Sequence, residues 1–118
     1  MYKKILAVIS FSVISLSAYS AFQINVPLAK KCYAIHNQLA KIEALQTIDQ
    51  CKDNIHYAST ETEEAAIFIA DDSLRYANDS LKDALTHLRH AQVYDCVEEA
   101  EILKAEQNIA EIRSELKW

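Results

Sequence analysis

The chain has 118 residues, no glycine, a single proline (Pro27) and a formal net charge of −5. Without glycine it lacks the cheapest route to positive φ. That argues against tight hairpins, phosphate-cradling loops and nucleophile elbows. Many Ala, Leu, Glu, Lys and Gln residues favour helix, so the expected class is all-α.

The first twenty residues read as an export signal. Lys3 and Lys4 form a basic start, Ile5 to Leu16 an apolar run broken only by serine, and Ala18-Tyr19-Ser20 a cleavage site. Cleavage is expected after Ser20, leaving residues 21–118 as a single helical domain in the periplasm or outside the cell. The alternative is an uncleaved membrane anchor, for which the run is short against a span of roughly 20 residues. Without Lys3 and Lys4, acidic side chains outnumber basic ones further. That balance argues against nucleic acid and anionic membrane surfaces, and permits a basic protein partner or cations.

Ala21 to Val26 alternates, with Phe22, Ile24 and Val26 on one side, which predicts an extended strap or a disordered terminus. Pro27 suits the first turn of a helix. A first helix is expected over about 28–57, with Leu28, Cys32, Ile35, Leu39 and Ile42 as its stripe, continuing through Leu45, Ile48 and Ile55. Ser59 to Glu64 reads as a boundary, Thr60 and Glu63 fitting a capping box.

A second helix is then expected over about 61–94, antiparallel to the first. Ile67, Leu74, Leu81 and Leu88 recur every seventh residue, and Ala70, Ala77, Ala84 and Ala91 occupy the other seam position. Phe68, Ile69 and Tyr76 lie off that stripe and ask for a third element. The heptad fails at Asp95 and Glu98 and resumes through Ile102, Ala105, Ile109, Ile112 and Leu116. The pattern predicts a bend near Tyr94 to Val97 and a third helix over about 97–117. The expected fold is an antiparallel hairpin extended to a three-helix bundle. Its alternative is one helix from Glu61 to Leu116, a long two-helix hairpin that dimerises into a four-helix bundle.

Three cysteines, Cys32, Cys51 and Cys96, and an exported context make one disulfide and one spare thiol the natural count. On a single first helix Cys32 and Cys51 lie about 28 Å apart, too far to bridge. The expected bond is Cys32–Cys96, closed by the bend near Asp95, with Cys51 left free.

Cys32 and His36 lie one helical turn apart, His87 and His90 are neighbours on one helical face with Asp83 one turn earlier, and a hairpin turn near residue 60 would bring the two groups level. Those five are the candidate metal ligands. Their phase instead suits solvated histidines on opposite edges of the helix pair. Ala84 to Ala91 (ALTHLRHA) resembles, over eight residues, the His-spaced repeats of small periplasmic metal-binding helical bundles. It occurs once, and no residue role follows from it.

Covalent haem attachment needs Cys-x-x-Cys-His, which is absent, and the only methionine is Met1. No cofactor is expected. No Gly-x-Ser-x-Gly, His-Glu-x-x-His or Cys-x-x-Cys occurs, and Glu63/Glu64 and Glu98/Glu99 read as solvated helix-start charges, so an enzyme is not expected. Tyr33, Tyr57, Tyr76, Tyr94 and Trp118 either anchor an interface or cap the core edges. The acidic residues Glu61, Glu63, Glu64, Asp71 and Asp72 would speed the approach of a basic partner. The sequence therefore points to an envelope or secreted protein that binds another protein, as inhibitor, immunity-type protein, chaperone or assembly accessory. Homodimerisation is left open, and small-metal carriage is the alternative function.

Overall fold

The computed structural model describes residues 25–118. Four helices run through them: α1 over 25–44, α2 over Asp49–Ala70, α3 over Leu74–Ala91 and α4 over Glu99–Glu115. Among the described residues there is no strand. Side-chain pairs across the seams give the topology. α1 meets α2 through His36–Ser59 and Glu43–His56, and α2 meets α3 through Asn54–His87. Asn78–Arg113 and Arg89–Glu106 join α3 to α4, and Gln38–Glu101 and Lys31–Glu115 join α4 back to α1. Where two pairs join the same helices one number rises as the other falls, and the tight turn at 71–73 reverses α2 into α3. Each helix therefore runs antiparallel to both neighbours, which makes an up-down-up-down four-helix bundle.

The all-α class holds, but the three-helix count does not. The expected first helix over 28–57 is two helices, parted by a turn at 45–48. Nothing in Leu45-Gln46-Thr47-Ile48 looks like punctuation, because Leu45 and Ile48 keep the apolar period going. Gln46 ends the helix by folding inward, its amide donating to the Ile42 carbonyl at 3.0 Å. The expected boundary at Ser59 to Glu64 is the middle of α2. Its hydroxyls are satisfied inside the bundle: Thr62 donates to the Ala58 carbonyl at 2.7 Å, and Ser59 to the His36 carbonyl at 3.1 Å. A Ser/Thr-rich stretch signals a cap only when those groups lack such partners.

The turn that does close α2 lies inside the Ile67 to Ala91 heptad. Asp72 takes the left-handed conformation, φ 58°, while the Ser73 N–H reaches the Phe68 carbonyl at 2.8 Å and the Asp72 N–H reaches Ile69 at 3.1 Å. These two bonds form a Schellman closure, usually built on glycine. The heptad keeps its phase across this turn by coincidence. Ala77, Leu81, Ala84, Leu88 and Ala91 are fully buried, whereas Ile67 is 46 % exposed and Ala70 lies on the surface. A continuous helix from Glu61 to Leu116 is thereby excluded. The break expected near Tyr94 to Val97 is present, with Glu98 (φ 64°) leading into α4. Both outer stripes, Leu28 to Ile42 on α1 and Ile102 to Leu116 on α4, are buried as their spacing requires.

The disulfide joins Cys51 to Cys96, with Cα atoms 5.7 Å apart, and the expected Cys32–Cys96 bond is not formed. Its partner choice follows from the turn at 45–48. Reversal there brings Cys51, in the first turn of α2, to the end of the bundle that carries the α3–α4 loop. Cys32 is the free thiol, buried within α1. The expected signal segment 1–20 and residues 21–24 lie outside the described residues. Asn25, Val26 and Pro27 are already helical, so at those positions the extended strap is not found. Asn25 donates to the Asp72 carboxylate at 3.1 Å, pinning the start of α1 to the α2–α3 turn.

Candidate functional site

The five residues singled out as metal ligands are not brought together. His36 sits on the α1–α2 flank, Nδ1 at 2.8 Å from the Ser59 carbonyl and Nε2 at 2.7 Å from Glu63. His87 sits on the α2–α3 flank, its Nδ1 at 3.2 Å from Asn54 and its ring 5.2 Å from that of Tyr57. α2 stands between the two. His90 lies beside His87, ring centres 6.3 Å apart, and Cys32 is sealed in the core, where burial pushes its thiol up to about 12. A thiol held neutral is a poor ligand and a poor nucleophile. Among the described residues no three His, Cys, Asp or Glu side chains are placed to hold a metal ion.

Ser59, His36 and Glu63 have the composition of a hydrolytic triad but not its chemistry. The Ser59 hydroxyl lies 2.8 Å from His36 Nδ1 and 3.1 Å from the His36 backbone carbonyl, but the residue is only 3 % exposed. At that burial no substrate reaches the hydroxyl, so no nucleophile is presented. The trio ties α1 to α2. A shallow groove between α1 and α4, floored by Ala34, Ile35 and Ile112 and rimmed by Lys31, Gln38, Asn108 and Glu111, gathers no reactive groups either.

Glu61 is the electrostatic outlier. Its carboxyl is pushed up to about 7, first by burial, then by the charges of Asp83 and Glu64. One oxygen, Oε1, lies 3.4 Å from His87 Nε2, while Oε2 is buried with no hydrogen-bond partner. At 3.4 Å the histidine contact is too long to hold the charged form against burial and two like charges.

The most distinctive surface is the end carrying the α1–α2 and α3–α4 loops. Buried Gln46 clamps the two together: its amide N–H donates to the Val97 carbonyl at 2.8 Å, and its oxygen accepts the Val97 N–H at 2.9 Å. The Cys51–Cys96 bond fixes the same pair of segments a few residues away. On this braced end Leu45, Val93, Tyr94 and Val97 are exposed, Val93 by 80 %. Asp49, Asp95, Glu98 and Glu99 stand on the surface of the same segments. Sequence reasoning named Tyr94 and missed the other three. The signal available was phase, since Val93 and Val97 fall where the buried stripe has lapsed.

No family model, curated protein or solved structure matches the chain.

Proposed function

We propose that this protein is exported, is not an enzyme, and binds another protein of the cell envelope through the loop end of its bundle. The carrying observation is the exposed group Leu45, Val93, Tyr94 and Val97 on a backbone braced by a disulfide and the Gln46 clamp. A rigid apolar group loses little entropy on binding, and side chains of this kind form interface centres. The surrounding Asp49, Asp95, Glu98 and Glu99 select the occupant: an apolar protrusion ringed by Lys or Arg. A second copy is disfavoured, because the two acidic rims would repel.

Export is supported by the basic and apolar start of the chain and by the disulfide, which persists in oxidising compartments. Among the described residues no helix is long and apolar enough to cross a membrane. The acidic balance speaks against nucleic acid and anionic membrane surfaces as partners. Inhibitor, immunity-type protein, chaperone and assembly accessory all fit such a binder.

A photo-crosslinking residue at position 93, compared with one at exposed Lys82, tests the reading in envelope extracts. A heteromeric adduct formed at position 93 only, weakened by salt and abolished by Leu45→Glu, is the expected result. Equal adducts at both positions, or adducts only with itself, overturn it. Sequencing the N-terminus of the exported protein tests cleavage after Ser20 separately.

A further inference from the structure

Glu61 has no place in the binding reading, and its surroundings are unusual for a carboxylate. It lies midway along α2 on the flank facing α3, with Oε2 buried and unpartnered. From α3, Asp83 and His87 face it; from its own helix, Glu64 does. Tyr57, one turn earlier on α2, covers the His87 ring, and His87 turns its other nitrogen to Asn54. On the opposite flank of α2, the α1 groups His36 and Glu43 are taken up by Glu63 and His56. No arginine or lysine contacts Glu61 among the described ion pairs.

We infer that Glu61 is a proton-operated latch on the α2–α3 seam, closed while its carboxyl is neutral and loosened once the carboxyl is charged beside Asp83 and Glu64. A neutral carboxyl buries one oxygen at modest cost. A charged one leaves an unsolvated oxygen within reach of two further negative groups, which favours opening of the seam to let water in. The other oxygen, Oε1, faces His87 Nε2 at 3.4 Å.

The sign follows from the raised folded-state value. Below the unfolded value of 4.5 the carboxyl is neutral in both states, and the full stability is present. As pH rises through about 7 the folded state must ionise Glu61, and stability is lost. The window is therefore mildly acidic to neutral pH. Across it the opening equilibrium of the α2–α3 seam rises roughly ten- to a hundredfold.

The test is a carboxyl-carbon NMR titration of the intact protein, with amide hydrogen exchange at pH 5 and pH 8 corrected for intrinsic rates. Glu61 is expected to titrate near 7, with protection of α2 and α3 amides falling more than that of α1 and α4. Glu61→Gln, an uncharged isostere, should abolish the difference between the two pH values. An ordinary carboxylate titration in the wild-type protein overturns the latch, and needs no variant to fold. So does a Glu61→Gln protein that keeps the wild-type pH response.

Discussion

α1 and α4 hold their places by volume, and α2 holds its place by fit. α1 buries Leu28, Cys32, Ile35, Leu39 and Ile42, and α4 buries Ile102, Ala105, Ile109, Ile112 and Leu116, alternating steps of four and three. Between Ile55 and Ile69, α2 buries Ala58, Ser59, Thr62, Ala65 and Ala66. Small side chains let backbones approach closely, and the α2–α3 contact is more extensive than the α3–α4 contact. The closeness carries a requirement that the outer stripes escape. Every polar group drawn into the close contacts of α2 needs a partner, and Ser59 and Thr62 find theirs in backbone carbonyls. Glu61 Oε2 does not.

Substitutions of opposite sense separate the two kinds of packing. Leu39→Ala in α1 and Ile109→Ala in α4 each empty a fully buried site, and should cost roughly 2–5 kcal/mol in urea unfolding. Removing the staple with Cys51→Ala and Cys96→Ala comes next. The bond closes a separation of 45 residues, so its loss should cost about 2–4 kcal/mol by the same measurement. The loop end, held then by Gln46 alone, should show the larger gain in hydrogen exchange. In α2 the harmful direction reverses. Ala65→Leu has no space to enter and should cost about 1–3 kcal/mol, whereas the same change at exposed Ala70 should cost almost nothing. Equal effects at positions 65 and 70 would remove the distinction between volume and fit.

That distinction also explains which parts of the fold can be read from the sequence. The stripes of α1 and α4 are legible because four large aliphatic residues in each repeat one message at helical spacing. The seam of α2 is not, because Ala, Ser and Thr are as common on surfaces as in close contacts. The turns at 45–48 and 71–73 are hidden for a different reason. A chain without glycine must end helices with Gln46 folded inward and Asp72 at positive φ, and neither residue is distinctive. The disulfide error descends from the first of these turns: once it is missed, Cys51 is placed at the wrong end. At the candidate surface Tyr94 is visible as an aromatic, but Leu45 looks like a core residue until its helix is seen to stop at 44.

The smallest effect sharpens the comparison at the helix ends, where two non-glycine residues share one strained conformation. Asp72 and Glu98 have φ of 58° and 64°, values that cost an L-residue with a Cβ roughly 1–2 kcal/mol. Asp tolerates this region better than Glu, because its short polar side chain can bond locally. Here the Asp72 carboxylate also accepts from Asn25, so the turn and the start of α1 are fixed by one group. Glu98 is exposed and its side chain makes no hydrogen bond or ion pair among the described contacts. Glycine at position 98 relieves the strain and gives back part of the gain as unfolded-chain entropy. Glu98→Gly should therefore stabilise the protein by about 0.5–1 kcal/mol, raising Tm by a few degrees. Asp72→Gly relieves less strain and loses the Asn25 bond, so its Tm should stay level or fall. If scanning calorimetry showed the same gain for both substitutions, the Asn25–Asp72 contact would hold nothing in place.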